Sequence, residues 1–277
     1  MKPSQASVVL TGAAGGIGAA VARQLIEKGA RVLLVGRTAA PLLALASELS
    51  AGVSDRSRLD ALVVDITTAS GVDALVHAAQ ARQVNVLINN AGAACFGPVD
   101  DASMIEADVL TRTNLLAPMQ ISARLLPHLL AQPKAHIINV GSTLGSIGIP
   151  GFAIYGATKA GLRAFSESLR RELAGSPVCV QYLAPRSVDT PFNDARTRAF
   201  NTMTGSTSDN PTTVANALLA LLRSERAESY LGFFEHISAR LNGLCPRVLD
   251  GAFKKHRDAL YTLHADPARA PIKETLR

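Results

Sequence analysis

The strongest indication of the fold comes from Ser7-Val8-Val9-Leu10-Thr11-Gly12-Ala13-Ala14-Gly15-Gly16-Ile17-Gly18, which leads into a helical segment. Residues 7–10 form an apolar run typical of a strand, and residues 17–28 are typical of a helix that ends before Gly29. Glycines let a backbone come close to a pyrophosphate, and the N–H groups that open a helix attract its negative charge. The spacing Gly-x-x-x-Gly-x-Gly differs from the commoner Gly-x-Gly-x-x-Gly, so a purely structural turn is the alternative. Its position after the first strand favours a dinucleotide site.

Apolar runs and helical segments alternate along most of the remaining chain. Strands are predicted over residues 31–35, 59–64, 84–88, 135–140, 178–183 and 229–232, and helices over 39–49, 70–82, 101–130, 152–173 and 211–222. The strands are continuous apolar runs, as in a parallel sheet that is covered on both faces. The order therefore predicts an α/β fold with a Rossmann-like, doubly wound, seven-stranded parallel sheet. We predict one domain over residues 1–232, a helical C-terminal extension over 233–277, and a mobile polar loop over 190–212 at the ligand-binding edge of the sheet.

The bulk composition narrows the class of protein. The chain has 277 residues, 48% of them apolar, and a net charge of +6. Residues 240–277 hold eight Lys or Arg against four Asp or Glu, and this basicity is too weak and too poor in aromatics to predict nucleic-acid binding. The apolar runs are shorter than the ~20 residues of a membrane span, and no signal-peptide core precedes the first strand. Three scattered cysteines, Cys95, Cys179 and Cys245, indicate neither a disulfide framework nor a metal site. We expect a cytoplasmic protein without a metal.

Three residues further along suit proton transfer. Tyr155 and Lys159 are four positions apart on a predicted helix and therefore lie on one face of it. A tyrosine has a pKa of about 10, and a nearby cation favours the phenolate, so we expect Lys159 to lower the pKa of Tyr155. Ser142 follows a predicted strand and could hold a substrate oxygen. Spacing alone leaves open that Tyr155 is only part of an amphipathic helix.

The ends of the second, third and fourth strands carry candidate cofactor contacts. Arg37 follows the second strand, where an acidic residue would bind ribose hydroxyls and an arginine accommodates a 2′-phosphate, so we favour NADP(H) over NAD(H). Asp65 could accept a hydrogen bond from an adenine amine or cap the next helix. Asn89 and Asn90 could tie strand ends together beside a flat ring, and a simple turn is the alternative.

These residues, taken in order, resemble the short-chain dehydrogenase/reductase family in its branch of roughly 250 residues. The resemblance covers residues 5–232 and rests on residues 11–18, Asp65, Asn89-Asn90-Ala91-Gly92, Asn114, Ser142, Tyr155-Gly-Ala-Thr-Lys159 and Thr190. The cofactor contacts that it implies are Gly12, Gly15, Gly16, Ile17, Gly18, Arg37, Asp65, Ile66, Asn90, Ala91, Gly92, Tyr155, Lys159, Val188 and Thr190. It also implies a homodimer or homotetramer.

The resemblance implies a role for each of four catalytic residues. Tyr155 would be the general acid in reduction and the general base in oxidation, and Ser142 would orient the carbonyl. Lys159 would bind ribose hydroxyls and tune the tyrosine, and Asn114 would hold a water that continues a proton relay. Many members carry Pro-Gly after the sixth strand where this chain has Pro185-Arg186, which marks a subfamily or places a cation at the mouth of the site.

We therefore predict an NADP(H)-dependent oxidoreductase that interconverts a carbonyl and a secondary alcohol. The substrate is expected to be a small molecule of apolar or lipid-like character, because the segment after Thr190 offers Phe192, Phe200 and Met203. One alternative is a cofactor-binding regulatory or scaffold protein without turnover. Another is a peripheral membrane protein that binds through its basic tail.

The C-terminal extension has two apolar stripes. Phe233, Ile237 and Leu241 share one helical face, and Pro246 suits the first turn of a further helix. The second stripe consists of Val248, Leu249, Ala252, Phe253 and Leu260, with Lys254, Lys255 and Arg257 nearby. We favour packing of this helix on the core or on a neighbouring subunit. The alternatives are a basic amphipathic helix on a membrane surface and a cover over the substrate mouth.

Overall fold

Seven parallel strands form the centre of the protein, in the order β3-β2-β1-β4-β5-β6-β7. The structure is a computed structural model that describes residues 1–52 and 55–264. The strands are β1 (Ser7–Thr11), β2 (Arg31–Gly36), β3 (Leu59–Val63), β4 (Val86–Asn89), β5 (Ala135–Val140), β6 (Val178–Ala184) and β7 (Glu228–Tyr230). The predicted seven-stranded, doubly wound parallel sheet is confirmed.

Helices cover both faces of the sheet. They are α1 (Gly16–Glu27), α2 (Ala39–Ala51), α3 (Ala69–Ala81), α4 (Met104–Thr111), α5 (Ala117–Leu130), α6 (Ala153–Glu172), α7 (Ala195–Thr204), α8 (Pro211–Ser224), α9 (Phe233–Leu244), α10 (Pro246–Leu249) and α11 (Lys254–His264). Successive residues of β1 point to opposite faces, so Val8 and Leu10 pack with α1 and α8 while Val9 packs with α3 and α5. Burial on both faces explains why the strands are continuously apolar.

The order of the strands reverses at the centre of the sheet. β1 pairs with both β2 and β4, and crossovers run outward from there in opposite directions. The register places Leu10 beside Ile88, and Ile88 beside Ile138. The residues that follow β1, β4 and β5 therefore meet at one edge, and a doubly wound sheet binds its ligands in the crevice at such a reversal.

Two segments differ from the sequence-based expectation. The loop predicted over 190–212 contains α7, so the prediction of a continuous loop is wrong, and its mobility stays a prediction. Asp194 accepts a hydrogen bond from Thr197 N (2.7 Å), and Gly205 ends the helix in a left-handed conformation (φ 76°). Phe200 on α7 is buried. The helix predicted over 101–130 is divided into α4 and α5 by the π-helical turn Arg112–Leu116.

The C-terminal extension is helical from Phe233 to His264 apart from short connections. α11 packs against α7, and its residues Ala259 and Leu260 are buried. The last thirteen residues of the predicted basic tail, 265–277, lie outside the described residues. Among residues 1–52 and 55–264, no helix is both long and apolar enough to cross a bilayer.

Candidate active site

The glycine-rich turn after β1 forms a cradle that has no space for a side chain at three of its positions. Gly12 has φ 63°, and a Cβ atom on it would lie 2.7 Å from Ala91 Cα. A Cβ on Gly16 would lie 2.3 Å from Thr190 Cγ2, and one on Gly18 would lie 2.2 Å from Gly12 O. Glycine is therefore required at these three positions, which lets α1 begin close against the strand ends. The first residues of α1 line a cavity of about 720 Å³.

Hydrogen bonds tie the ends of β1 and β4 together. Thr11 Oγ1 accepts from the backbone N–H groups of Asn90 (3.0 Å) and Ala91 (3.1 Å). Asn90 Nδ2 donates in return to Thr11 O (3.0 Å) and Gly12 O (3.1 Å). Asn89 is directed to the other side, where it donates to Asn139 Oδ1 (2.8 Å). The two neighbouring asparagines therefore fasten β4 to β1 and to β5.

One end of the cavity is lined by Arg37, Asp65 and Ile66. Asp65 Oδ1 accepts from Thr67 N (2.9 Å) and Thr67 Oγ1 (2.7 Å), and these bonds hold the pKa of Asp65 below its usual value. The N-cap of α3 is Thr68, so Asp65 is not the helix cap that its sequence position allowed. Arg37 supplies a cation at this end of the cavity. A carboxylate at the same position would instead bind ribose hydroxyls.

The other end of the cavity is lined by Ser142, Tyr155 and Lys159. Ser142 follows β5, and the other two residues lie on α6; all three are buried. The Ser142 side chain lies close enough to Tyr155 to lower the pKa of its phenol, against the effect of burial. Lys159 Nζ donates to Val140 O (3.1 Å) and lies 5.8 Å from the centre of the Tyr155 ring. The structure thus brings together three residues that are separated in sequence.

Burial has the largest effect on the pKa values of Tyr155 and Lys159. It raises the pKa of Tyr155 to about 12, although the Ser142 side chain acts in the opposite direction. Burial also lowers the pKa of Lys159 to about 8. In the protein alone, the expected net lowering of the Tyr155 pKa is therefore wrong, because desolvation, the largest effect, disfavours the charged form of both groups.

Asn114 lies beside this group without lining the cavity. It stands in the π-helical turn, where Oδ1 accepts from Ala93 N (2.8 Å) and Nδ2 donates to Ala93 O (2.9 Å) and Thr158 Oγ1 (3.1 Å). A Cβ on Gly92 would lie 3.3 Å from Asn114 Oδ1 and 3.7 Å from Lys159 Nζ. The Asn114 amide therefore holds the segment after β4 against α6.

Sequence reasoning missed Tyr182, which supports Ser142 from β6. Tyr182 Oη accepts from Ser142 N and donates to Ser142 O, both at 3.2 Å. A Cβ on Gly141 would lie 2.0 Å from Tyr182 Oη, so the glycine before Ser142 makes room for this phenol. A tyrosine near the end of an otherwise apolar strand was the available signal, because a buried phenol needs a hydrogen-bond partner.

Arg186 is not a free cation at the mouth of the site. Its Nε and Nη2 donate to the two carboxylate oxygens of Asp209 (3.0 and 2.8 Å), and its Nη1 donates to Glu235 Oε1 (3.3 Å). The backbone of Asp209 pairs with the segment that follows β6, since Asp209 N donates to Ser187 O (2.8 Å). Arg186 therefore joins this segment to the first turn of α9. Val188 and Thr190 in the same segment line the cavity.

The wall beyond Tyr155 is apolar. Its apolar lining side chains are Ala93, Val109, Leu144, Ile149, Phe152, Pro191, Phe192 and Phe200, and the polar residues Asn193, Thr197 and Asn201 line the same cavity. Leu260 of α11 belongs to the same apolar cluster as Phe152, Tyr155 and Phe200. Helix α11 is held at both ends, by Lys255 Nζ to Thr204 O (3.1 Å) and by His264 Nε2 to Asp101 Oδ2 (2.6 Å). It therefore backs this part of the cavity.

Comparisons with known proteins agree with this geometry. A model of the short chain dehydrogenase family matches residues 6–200. The NADP-dependent 3-hydroxy acid dehydrogenase YdfG of Salmonella typhi is 34% identical over 209 residues, which are 74% of this chain and 82% of that protein. A short-chain dehydrogenase from Sphingobium yanoikuyae in complex with NADPH has 28% identity and a TM-score of 0.75, over 96% of this chain and 99% of that chain. A short chain dehydrogenase/reductase from Burkholderia phymatum in complex with NAD has a TM-score of 0.80 over 88% of this chain and 94% of that chain, and its 23% identity supports a likeness of fold alone.

Proposed function

This chain belongs to the short-chain dehydrogenase family of oxidoreductases, and we propose that it is an NADP(H)-dependent enzyme that interconverts a ketone and a secondary alcohol on a neutral, apolar substrate. The observation that carries the proposal is one cavity with two different ends. One end has glycines at positions where any side chain would collide, together with Arg37. The other end has Tyr155 and Ser142 together on the cavity lining, next to apolar side chains.

The glycine cradle fits a dinucleotide. The residues assigned to the pyrophosphate are Gly12, Gly15, Gly16, Ile17 and Gly18, and those assigned to the nicotinamide side are Asn90, Ala91, Gly92, Val188 and Thr190; all of them line the cavity. Asp65 and Ile66 are assigned to the adenine, and the guanidinium of Arg37 to a 2′-phosphate. When bound, the dinucleotide supplies a hydride to a carbonyl carbon or accepts one from an alcohol.

Tyr155 is assigned to move the proton. With its pKa raised to about 12, the phenol is protonated at neutral pH and can donate to a carbonyl oxygen, while Ser142 holds that oxygen in place. Lys159, with its pKa lowered to about 8, is still mostly protonated at pH 7. Its charge stabilises the phenolate that donation leaves behind. The relay through a water at Asn114 stays a prediction, since the side-chain amide of Asn114 is bound to Ala93 and Thr158.

The charge distribution of the cavity supports a neutral substrate. The charged residues in its lining are Arg37, Asp65, Lys159, Arg186 and Glu235. The first two lie at the cofactor end, Lys159 is beside Tyr155, and Arg186 is neutralised by Asp209 and Glu235. Arg196 and Arg198 on α7 are not among the lining residues. A substrate carboxylate would thus lose its hydration without gaining a partner.

The proposal is tested by the loss of NADPH absorbance with a panel of carbonyl compounds. We expect turnover with bulky apolar ketones, and a kcat/KM at least roughly tenfold lower for 3-oxo acids of the same chain length, because a buried unpaired carboxylate costs more than about 1.4 kcal/mol. Methyl esters of the same acids are the matched control. Equal kcat/KM for acids and esters would contradict the neutral substrate, and NADPH binding without turnover of any carbonyl would favour the regulatory alternative.

Cofactor preference tests the role of Arg37. We expect Arg37→Asp to lower the ratio of kcat/KM with NADPH to that with NADH by at least roughly tenfold, because it replaces a charge-assisted bond to the 2′-phosphate with a repulsion. Arg37→Gln serves as the control that removes the cation without adding an anion, and it should give an intermediate ratio. An unchanged ratio in both variants would reject the assignment of Arg37.

The membrane contact predicted for the basic tail stays a prediction. The homodimer or homotetramer implied by the family resemblance likewise stays a prediction.

A further inference from the structure

Helix α9 exposes a row of large apolar side chains. Phe233, Phe234 and Leu244 are 74%, 79% and 80% exposed, and Ile237 and Leu241 are also exposed. At 3.6 residues per turn these five side chains fall within an arc of about 100°. We call this surface the α9 face. No residue of α9 is buried, so the helix contributes little to the core of the described chain.

The orientation of α9 is the reverse of that expected for a helix on a globular protein, which turns its apolar stripe inward. Beside a ring contact between His236 and Tyr230, with centroids 5.5 Å apart, three polar contacts tie α9 to the body. Glu235 accepts from Arg186, Asn242 Nδ2 donates to Ser146 O (2.9 Å), and Arg240 Nη2 donates to Glu228 Oε1 (2.8 Å). These bonds fix the helix with its apolar side outward. If α9 only had to pack on the body, its apolar side would face inward and its polar side would face the solvent.

We propose that the α9 face docks on the surface of an anionic lipid bilayer, with the helix lying in the plane of the interface. Interfacial helices insert aromatic and aliphatic side chains between headgroups while cations beside them meet the lipid phosphates. Cations flank the α9 face here: Arg240 and Lys254 are largely exposed, and Arg247 follows Leu244 in the chain. Val248, also exposed, extends the apolar surface past the end of the helix.

Charge favours a lipid surface over a second copy of the chain. Residues 233–264 hold five Lys or Arg against three Asp or Glu, and the whole chain has a net charge of +6. Glu235 is engaged with Arg186, which lies outside this stretch, and Asp258 forms an ion pair with Lys254 within it. A second copy would bring like charges together around the α9 face, whereas anionic headgroups neutralise them.

The position of the α9 face also suits an apolar substrate. Glu235, in the first turn of the helix, lines the cavity, so the docking surface begins at the cavity rim. If the substrate is apolar, a point that rests on the proposed function, it would reach the cavity from the lipid phase. Docking itself requires no turnover, so its test is independent of the enzyme activity.

The chain contains no tryptophan, which allows a direct measurement. Phe234→Trp places one indole on the α9 face, and Leu43→Trp places one at an exposed apolar position on α2 as the matched control. With full-length protein and vesicles containing phosphatidylglycerol, we expect the emission of the Phe234→Trp variant to shift to shorter wavelength and to be quenched by brominated lipid, while that of the Leu43→Trp variant is unchanged. An unshifted emission of the Phe234→Trp variant would contradict the proposal.

A second comparison uses co-sedimentation with the same vesicles. Phe233→Ser combined with Phe234→Ser should weaken the partition of the protein by at least roughly tenfold, since two exposed rings no longer enter the interface. The control is Met104→Ser combined with Ile105→Ser, which removes two equally exposed side chains (67% and 78%) from α4 and should leave partition unchanged. Equal loss in both double variants would overturn the proposal. So would a wild-type dimer in light scattering that becomes a monomer only in the α9 variant, because a second copy would then cover the α9 face.

Discussion

Replacing Tyr155 by phenylalanine is expected to lower kcat by roughly a thousandfold while leaving the Kd for NADPH within about twofold, because general acid–base catalysis contributes on the order of 10²–10⁴. The substitution removes only the hydroxyl. The ring itself packs edge-on against Phe152 and Phe192, with centroids 6.4 and 6.3 Å apart, and phenylalanine retains those contacts. The loss should therefore appear in the chemical step and not in folding.

Steady-state kinetics with a saturating ketone and fluorescence titration with NADPH measure the two effects separately. Tyr261→Phe is the matched control, since Tyr261 is exposed on α11 and should keep the wild-type kcat. A kcat for Tyr155→Phe close to that of the wild type would reject Tyr155 as the proton donor. A parallel loss of NADPH binding would instead indicate that the phenol holds the cofactor site together.

Replacing Gly18 by alanine is expected to lower the Tm by several degrees and to weaken NADPH binding by roughly a hundredfold, which corresponds to about 2.7 kcal/mol. The new Cβ would lie 2.2 Å from Gly12 O and 2.9 Å from Ala13 Cα. These are backbone atoms that cannot rotate away, so α1 must move off the end of β1 and carry its N–H groups with it. The strain of about 3 kcal/mol exceeds the ~1 kcal/mol that alanine adds to helix stability.

Gly15→Ala is the control for the steric argument. A Cβ there would meet nothing nearer than Gly12 O at 3.4 Å, an ordinary van der Waals distance. The Tm of that variant without cofactor should stay within about 1 °C of the wild type, since a loss of several degrees corresponds to about 1–2 kcal/mol in a chain of this size. Thermal unfolding of both variants tests this argument. Equal losses of Tm in Gly15→Ala and Gly18→Ala would mean that the clash at Gly18 does not cause the loss.

Much of the fold and of the candidate site could be predicted from local sequence. Continuous apolar runs predicted the parallel sheet because both of its faces are covered. The glycine turn and the four-residue spacing of Tyr155 and Lys159 depend on short-range geometry, and the structure places both groups on one cavity. Helix α7 was missed because its segment is polar; the helix depends on the cap at Asp194 and on the pocket that buries Phe200.

Features that depend on contacts between distant segments could not be predicted in this way. Tyr182 meets Ser142 across forty residues, and Arg186 meets Asp209 and Glu235, so neither role is visible in a motif. The pKa of Tyr155 follows its burial and not its neighbour in the helix. Helix α9 could be predicted as amphipathic, but the direction of its apolar side depends on which body residues bind its polar side.

Local sequence alone thus specifies the sheet, the cradle after β1 and the residues of the candidate proton-transfer group, because periodicity, glycine geometry and helix spacing act within a few residues. Tertiary contacts determine how that group is solvated, what supports Ser142, that Arg186 is a neutralised link, and that α9 turns its apolar side outward. Those properties depend on burial and on pairing between segments far apart in the chain, and desolvation and hydrogen bonding are set by what surrounds a group in space.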